Sequence, residues 1–535
     1  MLKRLQKSAL IAVWVAVCLV LSVLLYTPAV THAQTASNMN VVVEDAPSDL
    51  DPASSYDENS NIPMRGLYEG LVALKGDSLN EVVPVLAESW DAPDNTVFTF
   101  KLRQGVKFHD GTAFNADAAK FGLARTITAK LGTDAILGTF ITNPDKMIQV
   151  VDPFTLKITF DRPQPLFLVA LAASYGTGLV SPTAVKAHAA DDNGQTWLQT
   201  HEAGTGPYTL GTNGAMDSSA PIVLKQFQDY WQGWNGSHFS QITIKVVPES
   251  ALRRRALERG EADAATVLLP DDLTKLAKSG NFDTDPNPTL RVDYIVMGDY
   301  GPLKDPRARQ AMAYAFDYAA YNRAELGNLG RQPNGPFPNT LLGADPTTFT
   351  YTTDLKQAKQ LLDAAGVAPG TELTFLAPTG RGDNAGVILQ QQIEQLGLKL
   401  NIEKLDFDKF SEIFSGDMSA DRPNFFLQSW WPDYDSPLNY SYPLFYSKSA
   451  GSGGQNAGYY ANPTVDKLIE SSQTVKTLDE MTNMFKTVQQ VVTKDDPAGI
   501  YMAQSPDRTV VSKAVKGNVF NALYLGTFDF YAVSR

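Results

Sequence analysis

The chain has 535 residues, 43% of them hydrophobic and 19% charged, with a formal net charge of −13. That length exceeds what a single hydrophobic core serves, roughly 250–300 residues, so two or three lobes are expected. The composition is that of an ordinary globular protein, and the acidic balance argues against nucleic acid as a partner, because phosphate binding needs a basic footprint.

Lys3, Arg4 and Lys7 precede an apolar run from Ala9 to Tyr26, with Pro28 and the small-residue site Thr31-His32-Ala33 behind it. This pattern is that of a secretory signal peptide, and residues 1–33 are expected to be removed after Ala33. An uncleaved anchor is the alternative, since the run nearly reaches membrane-spanning length. The one cysteine, Cys18, lies inside the run with Val17 before it and Leu19-Val20-Leu21 after it, which disfavours acylation. The mature chain then has no disulfide framework and no thiol nucleophile. It is expected to be a soluble protein of the periplasm or cell exterior.

Strands and helices alternate along the rest of the chain. Phe98, Phe100 and Leu102 alternate with polar residues, a strand period that Val106 and Phe108 extend beyond Gly105. Leu156, Ile158 and Phe160 form a second such set, and Ile242, Ile244 and Val246 a third. Asn115 suits a helix cap before Ala116. Asp305-Pro306 is a cap with proline at the first helical position, and Ala308, Ala311, Met312, Ala315 and Ala319 behind it keep one apolar face. Asp354 opens a helix with Leu355, Ala358, Leu361, Leu362 and Ala365 inward, ended by Gly366. Asn462-Pro463 starts another, with Val465, Leu468 and Ile469 on one side. The fold class is α/β.

Enzyme signatures are missing: there is no G-x-S-x-G elbow, no H-E-x-x-H, no phosphate-binding P-loop and no G-x-G-x-x-G. Gly204-Thr205-Gly206-Pro207-Tyr208 reads as a chain-crossing turn, since proline removes a donor that a phosphate cradle would use. His109, His188, His201 and His238 are not spaced as zinc ligands and read as surface or turn histidines. No metal and no cofactor is expected. Arg253-Arg254-Arg255 with Arg259, among Glu249, Glu258, Glu261 and Asp263, reads as a solvated helix face.

Between Phe425 and Tyr460 stand eleven aromatic residues in thirty-six, against 10% overall, and among them runs Trp430-Trp431-Pro432-Asp433-Tyr434-Asp435-Ser436-Pro437. Aromatic faces supply apolar contact area with a polar tip. A carboxylate held among them can orient a cationic group. Asp433 also suits a turn cap, Trp430 and Trp431 suit packing, and Asp435 reads as structural. A second reading takes Asp433 and Asp435 as the acid pair of a secreted hydrolase.

The chain resembles the extracellular solute-binding proteins of family 5, the dipeptide, oligopeptide and nickel binders of ABC importers, over roughly residues 40–530. The resemblance rests on ordered stretches: Asp49-Leu50-Asp51-Pro52, Leu67-Tyr68-Glu69-Gly70-Leu71, Pro84 to Trp90, Arg103-Gln104-Gly105-Val106-Lys107-Phe108-His109-Asp110-Gly111 running on to Phe114-Asn115-Ala116-Asp117, Gly204 to Tyr208, Gly260-Glu261-Ala262-Asp263, and Asp305-Pro306-Arg307 through Asp317. It implies a two-lobed periplasmic-binding-protein (Venus-flytrap) fold with an extra domain inserted in the first lobe. By analogy, lobe I takes 34–80, 205–288 and 507–535, the inserted domain 81–204, and lobe II 289–506.

The resemblance also gives the aromatic segment a role. Peptide binders of the family carry a Trp-x-x-Asp pattern followed by proline, whose carboxylate pairs with the ligand's α-amino group. Trp430, Asp433 and Pro437 match it, which makes Asp433 the ammonium partner, with Trp430, Trp431 and Tyr434 lining the pocket and Tyr501 a further cleft-facing tyrosine. No recognisable arginine pattern grips a peptide's carboxylate, so ligand length stays open, as does an oligosaccharide or another small solute. Nickel chelate is disfavoured because lobe II has no histidine. The implied protein is a monomer, not an enzyme, that captures peptides in an interlobe cleft and delivers them to ABC permease subunits. Reuse of the fold as a sensor or chaperone is a third, minor possibility.

Overall fold

The computed structural model describes residues 37–211, 214–217, 219–380, 383–452 and 454–535. The expected signal peptide lies outside the described residues. Among the described residues no helix is long and apolar enough to cross a membrane.

Three main sheets organise the chain. A seven-stranded mixed sheet has, in spatial order, strands Phe282–Asp283, Val510–Ser512, Ala264–Ala265, Asn38–Val43, Gln241–Val246, Ile222–Gln226 and Tyr208–Leu210. Its centre is parallel, Asn38–Val43 pairing with Gln241–Val246 and with Ala264–Ala265. A five-stranded sheet has the order Lys399–Leu405, Glu372–Pro378, Phe425–Trp430, Pro288–Met297, Gly499–Pro506. A four-stranded antiparallel sheet is built from Ala87–Asp91, Val97–Leu102, Thr155–Thr159 and Ile148–Asp152. The protein is thus a two-lobed α/β structure with an additional small α/β body, each lobe centred on one of the two larger sheets.

The chain crosses between the two larger sheets twice. One crossing leads from Asp283 to Pro288 and the other from Pro506 to Val510. The two crossings lie side by side: Pro288 pairs with Pro506, and the Asp507 amide donates to the Asn287 carbonyl at 2.8 Å.

Caps and periodicity locate the elements well. The Asn115 side chain accepts from the Ala118 amide and starts helix Ala116–Ala129. Asp354 caps Leu355–Ala365, which ends on Gly366 in the left-handed region (φ 72°). Asn462 caps Pro463–Ser472, whose Val465 and Ile469 are fully buried. Phe98, Phe100 and Leu102 point into the core as the strand period requires.

Some expectations are corrected. The strand through Phe98 ends at Leu102, and Gly105 turns the chain at φ +78°; Val106 and Phe108 are buried beyond the turn, where Lys107 bridges Ala113 outside the sheet. The helix from Pro306 stops at Ala315, and Ala319 belongs to a second helix, Tyr318–Leu326, with its own cap Asp317. A locally competing cap thus overrides a continuous apolar spacing. Arg253 is not solvated: its guanidinium is buried and donates to the carbonyls of Val247, Pro248 and Val267. His109 is not a surface histidine either. Its side chain is 4% exposed, bonded to Glu202 through Nδ1 and to the Gly206 carbonyl through Nε2.

The glycine-rich stretch at 204–206 is a crossing point of two chains. A Cβ on Gly204 would stand 2.0 Å from the Leu67 carbonyl oxygen, and one on Gly206 2.4 Å from that of Gly66. Only glycine permits that approach. It lets the Gly206 amide donate to the Leu67 carbonyl at 3.0 Å. Beside it the buried Glu69 carboxylate accepts from Thr205, Tyr230 and Trp231. Burial pushes Glu69 up to about 7 against those three donors.

Candidate functional site

Strand Phe425–Trp430 is interior to the five-stranded sheet, parallel to Glu372–Pro378 and antiparallel to Pro288–Met297. Its hydrophobic first half is buried on both faces, as a central strand should be. At its carboxyl end, where Val292 pairs with Trp430, the chain leaves the sheet through residues 431–437 and enters helix Leu438–Phe445. The Trp-Trp-Pro-Asp-Tyr-Asp segment is therefore a turn held at the end of a rigid strand, the usual place for ligand contacts in open α/β sheets.

Asp433 is 8% exposed, and among the described residues it has no ion-pair partner. The Tyr56 hydroxyl donates to its Oδ1 at 2.6 Å, and the Asn439 side-chain amide reaches Oδ2 at 3.4 Å. Its own amide donates to Asn439 Oδ1 at 2.7 Å, which locks the turn. Burial pushes the carboxyl up to about 6, with the Tyr56 and Asn439 hydrogen bonds pulling the other way. A buried carboxylate with hydrogen bonds but no countercharge is suited to a cation brought from outside.

The neighbours fall into two groups. Trp431 lies face-on to the Arg291 guanidinium, 4.6 Å from ring centroid to carbon. Tyr434 is buried with its ring 6.0 Å from that of Phe140, a residue of the small α/β body. Trp430 is partly buried and donates its indole N–H to the Asn439 carbonyl at 3.0 Å, bracing the same turn as Asp433. Tyr501 stands apart. It lies on strand Gly499–Pro506 opposite Tyr294, and its buried hydroxyl donates to the Val492 carbonyl at 3.1 Å. Asp435 is buried and accepts the Leu342 amide at 2.7 Å, with burial pushing it up to about 6. That bond ties Asp435 to the loop at Leu342.

Sequence reasoning missed the residues that the other lobe supplies. Tyr56 and Glu58 flank Asp57, which caps helix Glu58–Leu67 by accepting from the Ser60 amide. That helix packs on the seven-stranded sheet, its Ile62, Met64 and Leu67 sharing a core with Met39 and Val41. The cap therefore aims Tyr56 and Glu58 at the five-stranded sheet, where Tyr56 meets Asp433 and Glu58 pairs with Arg291. Tyr56 also packs edge-on against Tyr175 at 5.1 Å. Tyr56 and Asp433 are 377 positions apart, so no local pattern announces the pair. The strongest local signal was the cap at Asp57, which fixes a direction but not a destination.

A profile of the bacterial extracellular solute-binding proteins, family 5 (middle region), matches residues 81–452. The chain is 30% identical over 515 residues, 95% of its length and 96% of the relative's, to the probable D,D-dipeptide-binding periplasmic protein DdpA of Escherichia coli (strain K12). It is 27% identical over 482 residues, 87% of its length and 88% of the relative's, to the glutathione-binding protein GsiB of Salmonella typhi. Among solved structures, the ABC transporter-associated periplasmic binding protein DppA from Helicobacter pylori, in complex with peptide STSA, superposes with a TM-score of 0.79 at 23% identity, covering 93% of this chain and 98% of that one. The dipeptide binding protein from Pseudoalteromonas sp. SM9913, in complex with Met-Leu, does so with a TM-score of 0.79 at 19% identity, covering 93% and 100%. With a buried, uncompensated carboxylate at the end of a central strand, a two-link hinge between two lobes and a match over most of its length, the chain belongs to the family 5 bacterial extracellular solute-binding proteins.

Proposed function

We propose that this protein is the substrate-binding component of an ABC importer, that it captures short peptides between its lobes outside the cytoplasmic membrane, and that it hands them to the permease without chemical change. The observation that carries the reading is Asp433: a carboxylate buried without a countercharge, facing Tyr56 of the opposite lobe. A peptide's α-ammonium group offers three donors to such an acceptor. The relatives named for D,D-dipeptides and glutathione support a small amino- and carboxyl-bearing ligand.

In this reading lobe I comprises 34–80, 205–288 and 507–535, the inserted domain 81–204, and lobe II 289–506, and the protein acts as a monomer. Ligand settles on lobe II against Trp431 and Asp433, the crossings at 284–287 and 507–509 bend, and Tyr56 arrives with lobe I. Closure is favoured only as far as ligand binds the closed form more tightly than the open one. Trp430, Asp433 and Tyr434 would hold the amino end. Tyr501, with its hydroxyl on Val492, would serve by supporting the sheet beneath.

The test is calorimetric titration of purified, ligand-stripped protein with D,D- and L,L-alanyl-alanine and with glutathione. Micromolar or tighter binding and intact recovery of the ligand are expected. Hydrolysis products, or no binding to any of the three together with a sugar found in the native mass spectrum, would overturn the peptide reading.

A further inference from the structure

His109 has an acceptor on each ring nitrogen. Nδ1 faces the Glu202 carboxylate, and Nε2 faces the Gly206 carbonyl at 2.9 Å. A neutral imidazole has a single N–H, so it satisfies only one of the two. Both contacts are hydrogen bonds only when the ring carries its second proton. Deprotonation turns a nitrogen lone pair onto an acceptor, in a place where side-chain exposure is 4% for His109 and 6% for Glu202 and water cannot make good the loss.

The pair stands where the small α/β body meets the first lobe. His109 follows strand Val97–Leu102, and its neighbour Phe108 shares a core with Phe98 and Phe100. It grips the chain that leaves the small body twice. Its amide donates to the Gly204 carbonyl at 2.8 Å, and its ring donates to Gly206. Glu202 fastens the same stretch by accepting the Gly204 amide at 3.1 Å. The ring also meets Phe227 edge-on, 4.8 Å between centroids. Because 204–206 is pressed against the backbone at 66–67, the residue that grips it fixes the small body to the first lobe.

Two carboxylates act on the ring, Glu202 in contact and Glu69 beyond it. Tyr68 and Tyr230 beside them are kept protonated by burial. Asp110 accepts from Thr112 and Ser181. The nearby cations are committed elsewhere: Arg125 to Asp51, Lys107 to Asp229 and Arg103 to the Trp231 face. Among the described residues no other cation pairs with Glu202 or Glu69. Burial pulls His109 down, but Glu202, the Gly206 carbonyl and Glu69 outweigh it and hold the ring above its ordinary value. Its contribution to the joint is therefore complete below the ordinary imidazole value of about 6.5 and is lost as pH rises through the raised one. Glu69 acts in the same direction: burial pushes it up to about 7, and its ionisation there adds a second buried negative charge.

We propose that the joint between the small body and the first lobe is a proton-operated clasp: protonated His109, held by Glu202, fastens the small body to the chain crossing at 204–206, and loss of that proton above neutral pH releases it. The clasp reaches the cleft through the body it carries, which sets Tyr175 against Tyr56 and Phe140 against Tyr434. Alkali is thereby converted into a looser cleft wall, whatever the ligand.

Two measurements on the whole protein test the clasp. In NMR of protein labelled with 15N-histidine, assigned by substituting the remaining histidines in turn, the His109 ring is expected to carry protons on both nitrogens at about pH 7. Hydrogen exchange, corrected for its intrinsic pH dependence, is expected to speed up at least about tenfold across 97–111 and 202–206 between about pH 6 and about pH 9, with the strands of the second lobe unchanged. His109→Gln cannot titrate and should show the faster rate at both pH values. A neutral His109 ring at pH 7 overturns the proposal. So does exchange at the joint that is equal at the two pH values in wild type, or a pH response that persists in His109→Gln. The first two outcomes are read on wild type and decide the matter even where the variant does not fold.

Discussion

Asp433 is a buried carboxyl group whose titration can be followed. Its ordinary carboxyl value of 3.8 is pushed up to about 6 by burial. Between those values the folded, unliganded protein holds a proton that the unfolded chain has released, so Asp433 favours folding below about pH 4 and that advantage is lost as pH rises through 6. The cost at neutral pH is about 2–3 kcal/mol by linkage. Asp433→Asn is therefore expected to gain stability relative to wild type at pH 7 but not at pH 4, as read from urea unfolding at the two values. The same substitution should weaken an amine-ended dipeptide by about 2–5 kcal/mol, the scale for truncating one partner of a buried charge pair. A bound ammonium reverses the linkage, since it requires the ionised carboxylate. Peptide binding near pH 5.5 should release protons, visible as a dependence of the calorimetric heat on buffer ionisation enthalpy, and Asp433→Asn should abolish that release.

Local elements do their work through caps and close approaches. Asn115, Asp305, Asp317, Asp354 and Asn462 each accept a backbone N–H at a helix start; all but Asp317 were visible as side-chain types before a periodic apolar face, and Asp317 was hidden inside a longer apolar spacing. Glycines divide into two kinds. Gly105 has φ +78° and open space around its Cβ position, whereas Gly204 has the Leu67 carbonyl at 2.0 Å from it. Gly105→Ala should cost about 1–2 kcal/mol, the strain of a left-handed alanine. Gly204→Ala should cost about 3 kcal/mol or more, because the backbones at 66–68 and 204–206 must separate, and that separation disturbs the Glu69 cluster beside them. Thermal unfolding of the two variants side by side checks the ranking. Equal shifts would show that the crossing can relax.

Among the described residues, two polar contacts join the segment at Tyr56–Glu58 to the second lobe: Tyr56 with Asp433 and Glu58 with Arg291. A net hydrogen bond contributes about 1 kcal/mol, and a partly exposed ion pair about 1 kcal/mol or less. Together they match the few kcal/mol that commonly separate two conformers. The double variant Tyr56→Phe with Glu58→Gln is therefore expected to enlarge the radius of gyration of the unliganded protein in X-ray scattering, and peptide should return it to the compact value. A radius that is the same for both proteins without peptide would show that closure is held elsewhere, at the hinge or through Phe140 and Tyr434.

What could be read along the chain is whatever depends on near neighbours: the α/β class, four of the helix starts, the strand faces, and a carboxylate set in an aromatic turn with the family's pattern around it. Those signals are local because capping, periodicity and turn chemistry act within a few residues. The family resemblance carried the reading further, to two lobes, a cleft and the choice of Asp433. Three-dimensional packing decided what no local pattern contains. Arg253 and His109 are buried because distant carbonyls and carboxylates receive them. Tyr56 and Glu58, 377 and 233 positions from their partners, meet Asp433 and Arg291 only because a capped helix on one sheet points at the end of a strand in another. A contact between segments hundreds of residues apart is a property of how the sheets pack, which the order of residues encodes without displaying.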